Sequence, residues 1–152
     1  MTMHRSAFIK ELRQELPSVE SWLAGYRDNL TFEMMRYRDF TKDAITRGDM
    51  ATVRKSFQFL AKAFATGNRH VRNSIVVSFL EHLEFVGSNG QAAEKLLPVE
   101  LSAERAHVLA ALRRMSELPR KRPRRRGAAK HALEALGARP QRPRRTFRHA
   151  VW

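Results

Sequence analysis

The sequence contains no cysteine in 152 residues. Disulfides, thiolate nucleophiles and the cysteine-based zinc patterns are therefore excluded. No apolar run reaches the roughly 18 residues that a membrane-spanning helix needs. The opening stretch MTMHRSAFIKELRQEL has basic residues but no apolar run behind them, so no secretory signal is expected, and the chain is placed in the cytoplasm. Six histidines are present, and none forms an HxxxH or HExxH pair. With no GxGxxG or GxxxxGK[ST] either, the expectation is no metal, no nucleotide and no other cofactor. Strand signals are also missing, since Ile75-Val76-Val77 sits inside a stronger 3.6-residue period.

Acid is scarce in one region. Residues 119–152 hold 12 Lys and Arg against the single acid Glu134, and residues 1–118 hold 17 against 14. The two parts carry +11 and +3, which together make the net +14. The body is near neutral, and the basicity belongs to the end of the chain. The expected domains are a helical unit over 1–118 and an Arg/Pro-rich basic tail over 119–152, mostly disordered.

What is present is helical periodicity. Arg69 to Val86 places Val71, Ile75, Val76, Phe79, Leu80, Leu83 and Val86 on an arc of roughly 180°. Asn73, Ser74, Ser78, Glu81 and Glu84 fall opposite. So wide an apolar arc asks for neighbours on two sides, which makes this the candidate central helix. A helix capped by Ser6 runs to Leu16 with Phe8, Ile9 and Leu12 inward, and a short one follows Pro17 with Val19, Trp22 and Leu23. Thr31 is the expected cap of a helix over Phe32–Arg47. Gly48-Asp49, Gly67-Asn68 and Gly87-Ser88-Asn89 each pair a left-handed terminator with a cap for the next helix. Met50–Thr66 shows a narrow stripe of Met50, Val53, Phe57, Leu60, Ala61 and Phe64. The segment 32–86 thus reads as three successive antiparallel helices. Gln91–Leu101 reads as a connector with a short helix stopped by Pro98, and Val108, Ala111, Leu112 and Met115 line a last helix over Ser102–Leu118. The fold class is all-α: a compact bundle of antiparallel helices with HEAT-like, α-solenoid-like turns.

The run Asn73, Val76, Val77, Ser78, Phe79, Leu80 and Glu81 after the Gly67-Asn68 turn, with Leu96-Leu97-Pro98 and Phe8-x-x-Glu11-Leu12, resembles a family of small bacterial all-helical proteins catalogued only as a domain of unknown function. The likeness covers roughly 6–116 and leaves out the tail. It implies a helical fold and no activity. Some members look like immunity proteins of bacterial competition systems, which implies action by binding one protein partner.

The candidate sites follow from side-chain chemistry. Ser74, Ser78 and His82 stand at four-residue intervals, the raw material of a hydroxyl–imidazole pair, but no nucleophile elbow, oxyanion hole or acid partner accompanies them. Glu81 and Glu84 pair two carboxylates, but a solvated polar face explains them better than acid–base chemistry. No enzyme is expected. Phe59 falls outside its helix's stripe among Arg54, Lys55 and Lys62. It is a lone exposed aromatic, the centre of an aromatic-plus-basic partner interface, or a side chain buried against another element. In the tail Arg120, Lys121, Arg122, Arg124, Arg125, Arg126, Arg142, Arg144 and Arg145 have the charge to hold phosphates. No aromatic lies between 119 and 146 to stack bases, so such binding would be non-specific. The sequence supports a non-enzymatic module docking a protein partner. The alternative is a nucleic-acid-associated protein acting through its tail.

Overall fold

In the computed structural model, residues 1–119 are described, and they contain seven α-helices, a 3-10 turn and one π segment. Helix α1, Arg5–Glu15, is followed by the 3-10 turn Pro17–Val19 and by α2, Glu20–Leu23. Helices α3, Leu30–Thr46, and α4, Met50–Thr66, come next. Helix α5, Arg69–Ser74, continues as the π segment Ile75–Leu80, and α6, Gly87–Glu94, and α7, Val99–Glu117, complete the order. Met1–Leu118 form one unit. Among the described residues no strand occurs; the nearest approach is an isolated parallel bridge from Met3 to Gly67.

Short polar connections set the topology. Asn29 accepts from the Phe32 amide, Asp49 from Thr52 and Asn68 from Val71, which caps α3, α4 and α5 in turn. Only Arg47, Gly48 and Asp49 separate α3 from α4, and the two helices pack together, so they run antiparallel. The caps expected at Ser6 and Thr31 lie elsewhere: α1 starts at Arg5 without a side-chain cap, and Asn29 starts α3 two residues early. Gly48 is left-handed at φ 71°, as its role requires. Gly67 is not, at φ −66°. It is needed because a Cβ there would stand 2.4 Å from the Ala63 carbonyl oxygen and 2.8 Å from Val71 Cγ1.

Helix α3 is packed on the most sides, touching α2, α4, α5, the π segment and α6. The 69–86 segment is central too, between α1, α3, α4 and α7, but it is not one regular helix. The Glu81 amide donates to the Val76 carbonyl across five residues at 3.0 Å. This wider turn shifts the phase of the side chains. Val71, Ile75, Phe79, Leu80 and Leu83 are buried as the wheel requires, yet Ser74 and Ser78 are buried as well, and Val77 and Val86 are exposed. Helix ends before Leu83, so Val86 never joins the arc. The core is otherwise a single cluster with Phe8, Tyr37, Phe57, Phe59 and Phe79 at its middle.

Candidate functional site

Phe59 is 4 % exposed. Its ring centroid lies 5.3 Å from that of Phe8 on α1 and 6.2 Å from that of Tyr37 on α3. Of the three readings, burial against another element is the one found, and an interface centred on an exposed Phe59 is corrected accordingly. The physical reason is that α1 packs along the flank of α4, so α4 is apolar over two sides and not over one narrow stripe. Arg54 and Lys55 remain exposed around it. Lys62 is tied to α1, its Nζ 2.8 Å from Glu11 Oε2, and the Glu11 carboxylate raises its pKa. The tail cations Arg120, Lys121, Arg122, Arg124, Arg125, Arg126, Arg142, Arg144 and Arg145 lie outside the described residues.

The serine–histidine line does not assemble. Ser74 at the end of α5 and Ser78 in the π segment are both buried, while His82 stands more than half exposed, its Nε2 3.8 Å from Glu81 Oε1. Ser74 Oγ is buried with no hydrogen-bond partner among the described residues. Glu84 turns to Lys42, 3.9 Å away, and not to Glu81. Among the described residues no three His, Asp or Glu side chains gather closely enough to hold a metal ion. The carbonyls left over where the helix ends are taken by arginines. Arg38 of α3 donates to Ser78 O at 3.2 Å, and Arg105 of α7 donates to Leu83 O from Nε at 3.2 Å and Nη2 at 2.9 Å. Cations at a helix C-terminus are favoured by its dipole.

The surface that stands out is on the α2–α3 corner. Gly25 at φ 86° and Asp28 at φ 67° turn the chain sharply between the two helices. That turn leaves Tyr26 42 % and Phe32 48 % exposed, with their rings 6.2 Å apart. The Arg36 guanidinium carbon lies 5.2 Å from the Trp22 ring centroid and 5.4 Å from that of Tyr26. Its Nε donates to the Trp22 carbonyl at 3.2 Å and its Nη1 to Asp39 at 3.3 Å, which holds the group in place. Trp22 in turn meets Phe40 of the core edge-on at 6.3 Å. Beneath the corner, Arg5 clamps the buried Glu33 with two bonds, 2.8 and 2.5 Å, and reaches Asp28 at 3.3 Å. This cluster has no periodic signal in the sequence, because Trp22 and Tyr26 come from one side of the turn and Phe32 and Arg36 from the other. The only sign was the density of aromatics over 22–32 beside an arginine at i+4 from Phe32.

The α7 stripe also departs from expectation. Leu101 is buried and Val108 and Ala111 are partly covered, but Leu112, Met115 and Leu118 are exposed.

A family model described as a domain of unknown function, DUF7674, matches residues 9–109, more than half of the chain. The chain belongs to this family. The DUF7674 match takes in α2 to α6 whole, with the aromatic–arginine corner, and ends within α7, before Leu112. No curated protein and no solved structure is similar enough to the chain to count as a match.

Proposed function

We propose that this chain is a non-enzymatic helical module that docks a protein partner in the cytoplasm. The observation that carries the reading is the α2–α3 corner, where Trp22, Tyr26, Phe32 and Arg36 form an exposed aromatic–arginine patch on a packed base. Trp, Tyr and Arg are the residues enriched at the energetic centres of protein interfaces. They bring large contact area at little cost in side-chain entropy. Arg36 is already ordered by four contacts with Trp22, Tyr26 and Asp39, so little of its freedom is left to lose on binding. An immunity-type role, acting through one bound protein, belongs to this same reading.

The test is capture from native cells by the full chain and by a Tyr26→Ser/Phe32→Ser variant, with the retained protein identified and its affinity for both measured. Loss of at least tenfold in affinity is expected. A partner held equally by both would remove the corner from the function.

A second reading rests on composition. Twelve cations against one acid in residues 119–152 support non-specific binding of nucleic-acid phosphates through the tail.

A further inference from the structure

Helix α7 starts in the core and outruns it. Leu101 is fully buried, and Arg105 fixes the next turn by its bonds to Leu83 O and by lying 5.0 Å over the Phe85 ring. The same helix face continues through Val108, Leu112 and Met115 at steps of seven, four and three residues, and on to Leu118 at the C-cap. Cover is lost along it: Val108 is half-buried, and Met115 and Leu118 are 68 % and 67 % exposed. Single exposed apolar residues are ordinary. A stripe in helical register that runs past the layer it packs on is a half-built helix–helix contact.

We infer that this stripe receives an acidic amphipathic helix of a protein partner, an inference that rests on the reading of the chain as a docking module. The spacing of the exposed residues suits a helix laid alongside. The surroundings set the partner's charge. Arg113 and Arg114 are exposed, and Glu117 is the only acid between 108 and 118. A helix with acidic flanks complements this charge and is steered towards it. A second copy of the chain would bring the same arginines against each other. A lipid surface is disfavoured because α7 has no Trp, Tyr or Phe on its apolar face, where interfacial helices carry them. Met115 gives the stripe an adaptable surface.

The probe is a fluorescently labelled 18-residue helical peptide with a leucine stripe and Glu flanks. Two control peptides replace the flanks with Lys or the stripe with Gln. Anisotropy is read with the full chain and with a Met115→Ser/Leu118→Ser variant, whose changes fall on exposed positions and leave every cation in place. The Glu-flanked peptide is expected to bind at least tenfold more tightly than either control and to lose at least tenfold on the variant. Equal binding by the Gln-stripe peptide, or by the variant, would mean that charge alone holds the peptide and would overturn the inference. So would sedimentation showing a dimer that the variant dissociates, or binding to anionic vesicles that the variant abolishes. The Tyr26→Ser/Phe32→Ser chain should bind the peptide like wild type, so failure at α7 and failure of the corner are read separately.

Discussion

The Tyr37 hydroxyl donates to the Ser56 carbonyl at 2.6 Å and accepts from Ser56 Oγ at 2.9 Å, while Thr41 Oγ1 lies 2.6 Å from Ser56 Oγ and 3.0 Å from the Tyr37 carbonyl. These groups are all buried, so each bond also removes the penalty of an unpaired polar atom. Tyr37→Phe should cost about 1–3 kcal/mol, read from urea midpoints. Burial raises the Tyr37 pKa above its ordinary 10.0. The folded phenol therefore stays neutral where the unfolded one ionises, so its contribution is complete below that pH and is lost as pH rises through and beyond it. Wild type should lose up to about 1.4 kcal/mol per pH unit more than Tyr37→Phe above about pH 10. Equal alkaline slopes would contradict this. Phe79, fully buried and 5.1 Å from the Tyr37 ring, should cost about 3–5 kcal/mol when cut to Ala. Phe59→Ala should fall in the same range now that its ring is placed between Phe8 and Tyr37, whereas an exposed Phe59 would cost almost nothing.

Elements were more legible than their junctions. The antiparallel order of α3 and α4 was readable because two 17-residue helices joined by a short Gly-Asp turn fold back on each other. The π segment was not, since one inserted residue shifts the register without any change in composition, and Ser78, on the polar side of the wheel, is buried within it. Phe59 stayed open among three readings, burial being one, for a related reason: a wheel describes one helix, and the side on which α1 would pack is a tertiary fact. The glycines show the same limit. Gly67 carries no backbone demand, but a methyl group there meets the Ala63 carbonyl, while Gly25 is left-handed with open space around it. Gly67→Ala is therefore expected to destabilise by about 2–3 kcal/mol and Gly25→Ala by about 1 kcal/mol. Thermal melts of the two variants give the order, and a milder Gly67→Ala would refute the close-approach account. Of the candidate surfaces, the corner at Trp22 and Arg36 was hidden because its members are brought together by a turn and not by a period.

At the scale of the whole molecule, the two proposed activities fall on separate stretches of sequence, docking on the near-neutral residues 1–118 and phosphate binding on the basic residues 119–152. If about five or six tail cations contact duplex phosphates, log K should fall against log salt with a slope near −5. Replacing Arg120, Lys121, Arg122, Arg124, Arg125 and Arg126 by Gln in the full chain should flatten that slope by roughly half, and an unchanged slope would assign the binding elsewhere. Under the proposed docking role, the α2–α3 corner and the α4 face differ in kind. The Tyr26–Phe32–Arg36 corner joins aromatic area to an ordered guanidinium, whereas Arg54 and Lys55 surround a Phe59 that is already buried. Calorimetric titration of the captured partner against single alanine variants compares them directly. The account predicts at least a tenfold loss of affinity, about 1.4 kcal/mol, for Tyr26→Ala, Phe32→Ala and Arg36→Ala, and less than about twofold for Arg54→Ala and Lys55→Ala, as rim charges behave. The reverse pattern would contradict it.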